Sequence, residues 1–195
     1  MTRTSGETGA VRDRVTAPAG LWVRALAFAL DYVPVASYLA VLVAGGVWLS
    51  RSSQPLAKAL FGGPISGEAV GFLLITLPVT LYFALPEASP WQATWGKRRM
   101  GLTVTDLAGR RLSRARSIGR TALKFVPWEL AHACIWQVSF AKDPSSPLYA
   151  LGFAVVWLLV AANVVSLAVS PTRQTLYDRL AGTQVVRASR PSVLR

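Results

Sequence analysis

Leu21-Trp22-Val23-Arg24-Ala25-Leu26-Ala27-Phe28-Ala29-Leu30-Asp31-Tyr32 opens a run that stays apolar to about residue 49, long enough to cross a bilayer. A base stands at its start and an acid lies inside it. A charged side chain at the bilayer centre costs roughly 2.5–3.5 kcal/mol on insertion scales. Arg24 and Asp31 are seven residues apart, almost two helical turns, so both project from one face. That face must turn toward protein, and further spans are needed to cover it.

Composition points the same way. Of 195 residues, 52% are hydrophobic and 15% are charged, against about 25% charged in soluble domains. The net charge is +12, which in a soluble chain would suggest nucleic acid. Here the bases alternate with long apolar runs, so they read as a membrane topology signal and nucleic acid is not expected as a partner. The single cysteine, Cys134, has no internal disulfide partner and reads as a small hydrophobe.

Outward from the first run, residues 1–18 form a polar tail, 19–187 a transmembrane domain and 188–195 a basic tail. The first span covers about 21–49, kinked by Pro34 beside Asp31, with Gly45 and Gly46 allowing close helix contact. Residues 51–67 read as a loop, and 69–85 as a second span. A third span covers about 118–140 and a fourth 148–169.

Between spans two and three, 102–106 alternates like a strand, Asp106-Leu107-Ala108-Gly109 reads as a turn, and Arg110, Arg111 and Leu112 as the returning strand of a hairpin. Ser113 is placed to cap the next helix. Arg114, Arg116, Arg120 and Lys124 then form an amphipathic lead-in at an anionic membrane surface. After span four, a short helix through Asp178 is capped by Gly182, with Val185 and Val186 in an extended end.

The fold class is therefore an all-α membrane protein of four transmembrane helices, with a short cytoplasmic hairpin and amphipathic segment between helices 2 and 3. The N-terminal segment, the 91–124 segment and the tail from Arg173 hold 18 bases, and the other two loops hold 3. That split puts both termini and the middle loop in the cytoplasm. The expected location is the cell membrane, with partners in the bilayer and in anionic lipid headgroups at the basic face.

Three segments carry a resemblance. Ala19-Gly20-Leu21-Trp22-Val23-Arg24 with Asp31, Thr94-Trp95-Gly96-Lys97-Arg98 with Gly101-Leu102, and Gln174-Thr175-Leu176-Tyr177-Asp178-Arg179-Leu180-Ala181-Gly182-Thr183 together resemble the RDD family of small multi-spanning membrane proteins. The arginine and two aspartates for which the family is named fall on Arg24, Asp31 and Asp178. Trp95 departs from a leucine-like residue and Tyr177 from a frequent histidine, and neither departure touches the named charges. Sodium/proton exchange, attributed to some members, is one activity the resemblance implies.

Arg24 and Asp178 lie at similar depth, so a bond between them would staple the tail helix to the first span, with Asp31 about 10 Å deeper. Two readings follow. In one, Asp31 is a reversible proton or cation site beside Arg24. In the other, all three form a structural network that fixes helix packing. Glu129 and His132 share a helix face at E-x-x-H spacing and suggest a polar relay. One such motif does not make a di-iron site, although a homo-oligomer would double it. The chain lacks a Gly-rich phosphate loop, a Ser-His-Asp arrangement and a CxxC pair. No enzyme activity, metal or cofactor is expected. The alternatives are ion-coupled transport and a non-transporting scaffold or assembly factor.

Overall fold

Gly20 breaks the polar lead-in, and α1 (Leu21–Ser52) follows for 32 residues with Pro34 inside it. The computed structural model describes residues 17–188. The expected tails at 1–18 and 188–195 lie almost wholly outside them. The segment expected as a loop at 51–67 is instead largely helical, forming α2 (Gln54–Phe61) and the start of α3 (Pro64–Gly71). Its prolines sit in the first turns, where a missing N–H costs nothing and a fixed φ favours the helix. A five-residue π turn (Phe72–Thr76) joins α3 to α4 (Leu77–Ala88).

Beyond them come α5 (Trp95–Arg99), β1 (Leu102–Asp106), α6 (Arg114–Ser139), α7 (Pro147–Val169), α8 (Leu176–Ala181) and β2 (Thr183–Arg187). Among the described residues, the stretches Leu21–Ser52, Pro64–Ala88 and Pro147–Val169 are long and apolar enough to cross a membrane. The helix α6 has 26 residues but carries Arg114, Arg116, Arg120, Lys124 and Glu129. It packs on α4 and α7, and also on α3 and α8, which makes it the central helix. Val41, Trp48, Trp157 and Leu158 face outward, while Asp31, Glu87, Arg120, Ser166 and Asp178 are buried. Polar groups inside and apolar groups outside suit a lipid surround.

β1 does not form the expected hairpin. It pairs antiparallel with β2 in the register Leu102↔Arg187 to Asp106↔Thr183. The expected turn exists, with Gly109 at φ 76° and its N–H bonded to the Asp106 carbonyl at 3.0 Å. However, the Asp106 carboxylate takes the N–H groups of Ala108 and Arg110 at 2.9 and 2.8 Å. That side-chain turn competes with the ladder and sends the chain on toward α6, while Leu112 is buried. On the other edge of β2, Ala19 donates to Val185 at 2.9 Å and Arg187 to Ala17 at 3.1 Å. Ala19, Ala27, Leu102, Val104, Leu112 and Val185 form a core beneath this small sheet. Both described ends of the chain therefore meet at one end of the bundle, the sheet end.

Two cap expectations hold. The Ser113 hydroxyl accepts from Arg116 N–H at 3.2 Å, and Gly182 ends α8 in the left-handed region at φ 62°. A Cβ added at Gly45 or Gly46 would meet no neighbour within 4 Å among the described residues, so no close helix approach requires a glycine there.

Candidate functional site

Asp178 begins as a capping group. Thr175 caps α8 and accepts from the Asp178 N–H at 3.2 Å, and the Asp178 carboxylate accepts from the Thr175 N–H at 3.4 Å. That capping box fixes a carboxylate at 0% exposure, where it needs cationic partners. Arg24 supplies one, donating from Nη1 to Oδ2 at 2.9 Å. The same guanidinium donates to the carbonyls of Ala19, Arg173 and Val185 at 3.1, 2.6 and 3.3 Å. One side chain thus ties α1 to the α7–α8 link and to β2.

The second partner is Arg120 of α6, which reaches Asp178 Oδ1 from Nε at 2.9 Å and from Nη2 at 2.8 Å. Its Nη1 donates to Glu87 of α4 at 2.6 Å, and Glu87 also accepts from Lys97 of α5 at 2.8 Å. The buried chain of charges therefore runs Arg24, Asp178, Arg120, Glu87, Lys97 across five helices. Burial alone would raise the Asp178 carboxyl, but the Arg120 and Arg24 charges outweigh it and hold the group below the usual carboxylate range. Burial first, then the Asp178 charge, raises Tyr177 above an ordinary phenol, so its hydroxyl stays protonated.

Asp31 stands apart from that chain. It too is at 0% exposure, and its carboxylate accepts from the Tyr82 hydroxyl at 2.9 Å, the Thr94 hydroxyl at 2.5 Å and the Gly96 N–H at 2.7 Å. Thr94 is the N-cap of α5 and Gly96 lies in its first turn, so Asp31 anchors the positive end of that short helix. Gly96 is required there because a Cβ would strike the Ala27 carbonyl and the Asp31 side chain.

The expected Arg24–Asp178 bond is present, and Asp31 is held by these neutral donors rather than by Arg24. Glu129 and His132 are not bonded to Asp31. Glu129 accepts from Thr76 at 2.5 Å, and His132 Nε2 accepts from Trp136 at 3.1 Å.

Glu87, Lys97, Arg120 and Lys124 were not among the expected site residues. The sequence places the last two in a lead-in at the membrane surface. The signal lay in their spacing: Ser117, Arg120, Thr121 and Lys124 form an i, i+3, i+4, i+7 stripe. Ser117, Arg120 and Thr121 on that stripe are buried, and Ile118, Leu123 and Val126 off it are exposed.

A helical bundle with apolar outer faces and a buried chain of ion pairs at one end defines a membrane protein built around interior charges. Residues 18–182 match the RDD family, and the chain belongs to it. A relative is "Uncharacterized protein YxaI" of Bacillus subtilis (strain 168), 33% identical over 117 residues, covering 53% of this chain and 73% of that protein. No solved structure matches.

Proposed function

We propose that this chain is a four-span protein of the cell membrane with both termini cytoplasmic. In this reading it is a non-transporting scaffold or assembly factor, and its Arg/Asp/Asp groups are structural. The observation that carries the reading is the filled carboxylate of Asp31. Three donors from α4, the α5 cap and the α5 backbone occupy it, and Gly96 packs directly on it. A reversible ion site has to exchange its ligands for water, and this geometry offers a fixed bond set instead. The fourth span is α6, whose bases all lie between Arg114 and Lys124, toward the sheet end. Arg98, Arg99, Arg110, Arg111, Arg114 and Arg116 are exposed at that end and suit anionic headgroups on the cytoplasmic leaflet.

Lys58→Cys and Arg111→Cys, each on a Cys134→Ala background, are expected to label from opposite sides of the membrane. Labelling from one side would overturn the topology. Proteoliposomes holding the wild-type protein are expected to show no sodium- or potassium-coupled proton flux. Asp31→Asn should lose about 1–3 kcal/mol of stability, because an amide NH2 then faces donors. A cation flux in wild type that Asp31→Asn abolishes at unchanged stability would establish transport.

One feature favours that second reading. Glu129 meets Thr76 at the end of the π turn, and the His132 Nδ1 is buried without a partner among the described residues. Ionisable groups at a π turn within a bundle are a recurring functional arrangement.

A further inference from the structure

The sheet end holds more bases than the ion network uses. Arg24, Lys97, Arg120 and Lys124 all line one cavity of about 190 Å³, together with Phe28, Tyr177 and Val185. Arg24, Lys97 and Arg120 share the carboxylates of Asp178 and Glu87, while Asp31 is held by neutral donors. Lys124 is the one left over. Its amine lies 3.6 Å from the Phe83 ring centroid and 4.5 Å from that of Phe28. No carboxylate stands within 4.0 Å of it among the described residues. A half-buried base without an acid is costly unless something anionic joins it.

The cavity continues into a groove of about 420 Å³ that shares Arg24, Phe28, Lys124 and Tyr177 with it. The helix α6 forms the groove's floor, and α1 and α7 flank it. Away from the bases its walls are mainly apolar, including Phe125, Trp128, Val156, Val160 and Val164, with the Asn163 amide among them. A pocket of cationic donors that opens into an apolar slot between helices has the shape and polarity of an anionic phospholipid. The phosphate would lie on Lys124 beside Arg120, whose Nη groups keep N–H donors beyond those bonded to Glu87 and Asp178, while the Arg24 donors are largely taken by Asp178 and three backbone carbonyls. An acyl chain would run along α6.

We propose that the cavity and groove between α1, α6 and α7 bind one anionic phospholipid, with Lys124 supplying the unpaired base for its phosphate. Neither transport nor scaffolding is needed for this site.

The full-length protein in mild detergent is the material for the test, read by native mass spectrometry and by thermal unfolding. Phosphatidylglycerol is expected to be retained about tenfold better than phosphatidylcholine and to raise the unfolding midpoint. Lys124→Met should abolish that preference with at most a small fall in the lipid-free midpoint, because it removes a base that has no acid while the thioether still packs on the rings of Phe28 and Phe83. Lys124→Arg should keep the preference. Val160→Trp fills the groove and should reduce retention of phosphatidylglycerol at least tenfold with the charges intact, which decides the question if Lys124→Met does not fold. Equal retention of both lipids, or wild-type retention by Lys124→Met or Val160→Trp, would overturn the proposal. So would inorganic phosphate alone giving the same midpoint shift, which would mark a free-anion site.

Discussion

Arg120→Ala is expected to cost about 3–5 kcal/mol, more than any other single substitution at the sheet end. Arg120 is 2% exposed and bonds to two carboxylates on different helices, Glu87 and Asp178. Its loss leaves one of those acids with Lys97 and the other with Arg24, at the same time as it opens a space in the middle of α6. Arg120→Lys should recover part of the loss, because one ammonium cannot reproduce a fork that reaches two acceptors in fixed directions. Unfolding midpoints in detergent measure both. A loss for Arg120→Ala under about 1 kcal/mol, the value of a surface pair, would mean that these bonds contribute little.

Asp178→Ala should approach the same magnitude, since it strips a carboxylate from Arg24 and Arg120 together. Arg24→Ala should cost less than Asp178→Ala, because Arg120 still neutralises the acid. The double substitution should cost less than the sum of the two, as either change alone leaves a charge without its partner. Strict additivity would show that the pair is not coupled.

The acid response follows from the same bonds. The folded-state value of Asp178 lies below the ordinary carboxylate range, so its stabilising charge is fully present above about pH 4. That contribution is lost as pH falls through the depressed folded value. Asp178→Asn should therefore flatten the acid side of the stability profile and leave the neutral region lower throughout.

The Arg24–Asp178 staple was legible because a base and an acid at matching depth, each flanking a span, have few other ways to be satisfied. The caps at Ser113 and Gly182 were legible because they depend on a few adjacent residues. The long-range partners were not. Asp31 is held by donors 51 to 65 residues away, one of them a backbone N–H that carries no residue signature. β1 is recognisable as a strand by alternation, but alternation does not name a partner, and the nearest downstream segment fits the pattern as well as β2 does. Arg120 and Lys124 have the same composition whether they face lipid headgroups or a protein interior. Only the apolar residues between them, turned outward, separate the two.

Arg24 and Asp178 are 154 positions apart, and Arg120 precedes Asp178 by 58. At about 5–20 residues per second, roughly 8–30 s of synthesis separate the arginine of α1 from its acid. Throughout that interval Arg24 of α1 lacks the acid it pairs with, and Arg120 of α6 has only Glu87 of its two. The bonds that tie α1 and α6 to α8 can therefore close only once that late acid has been made.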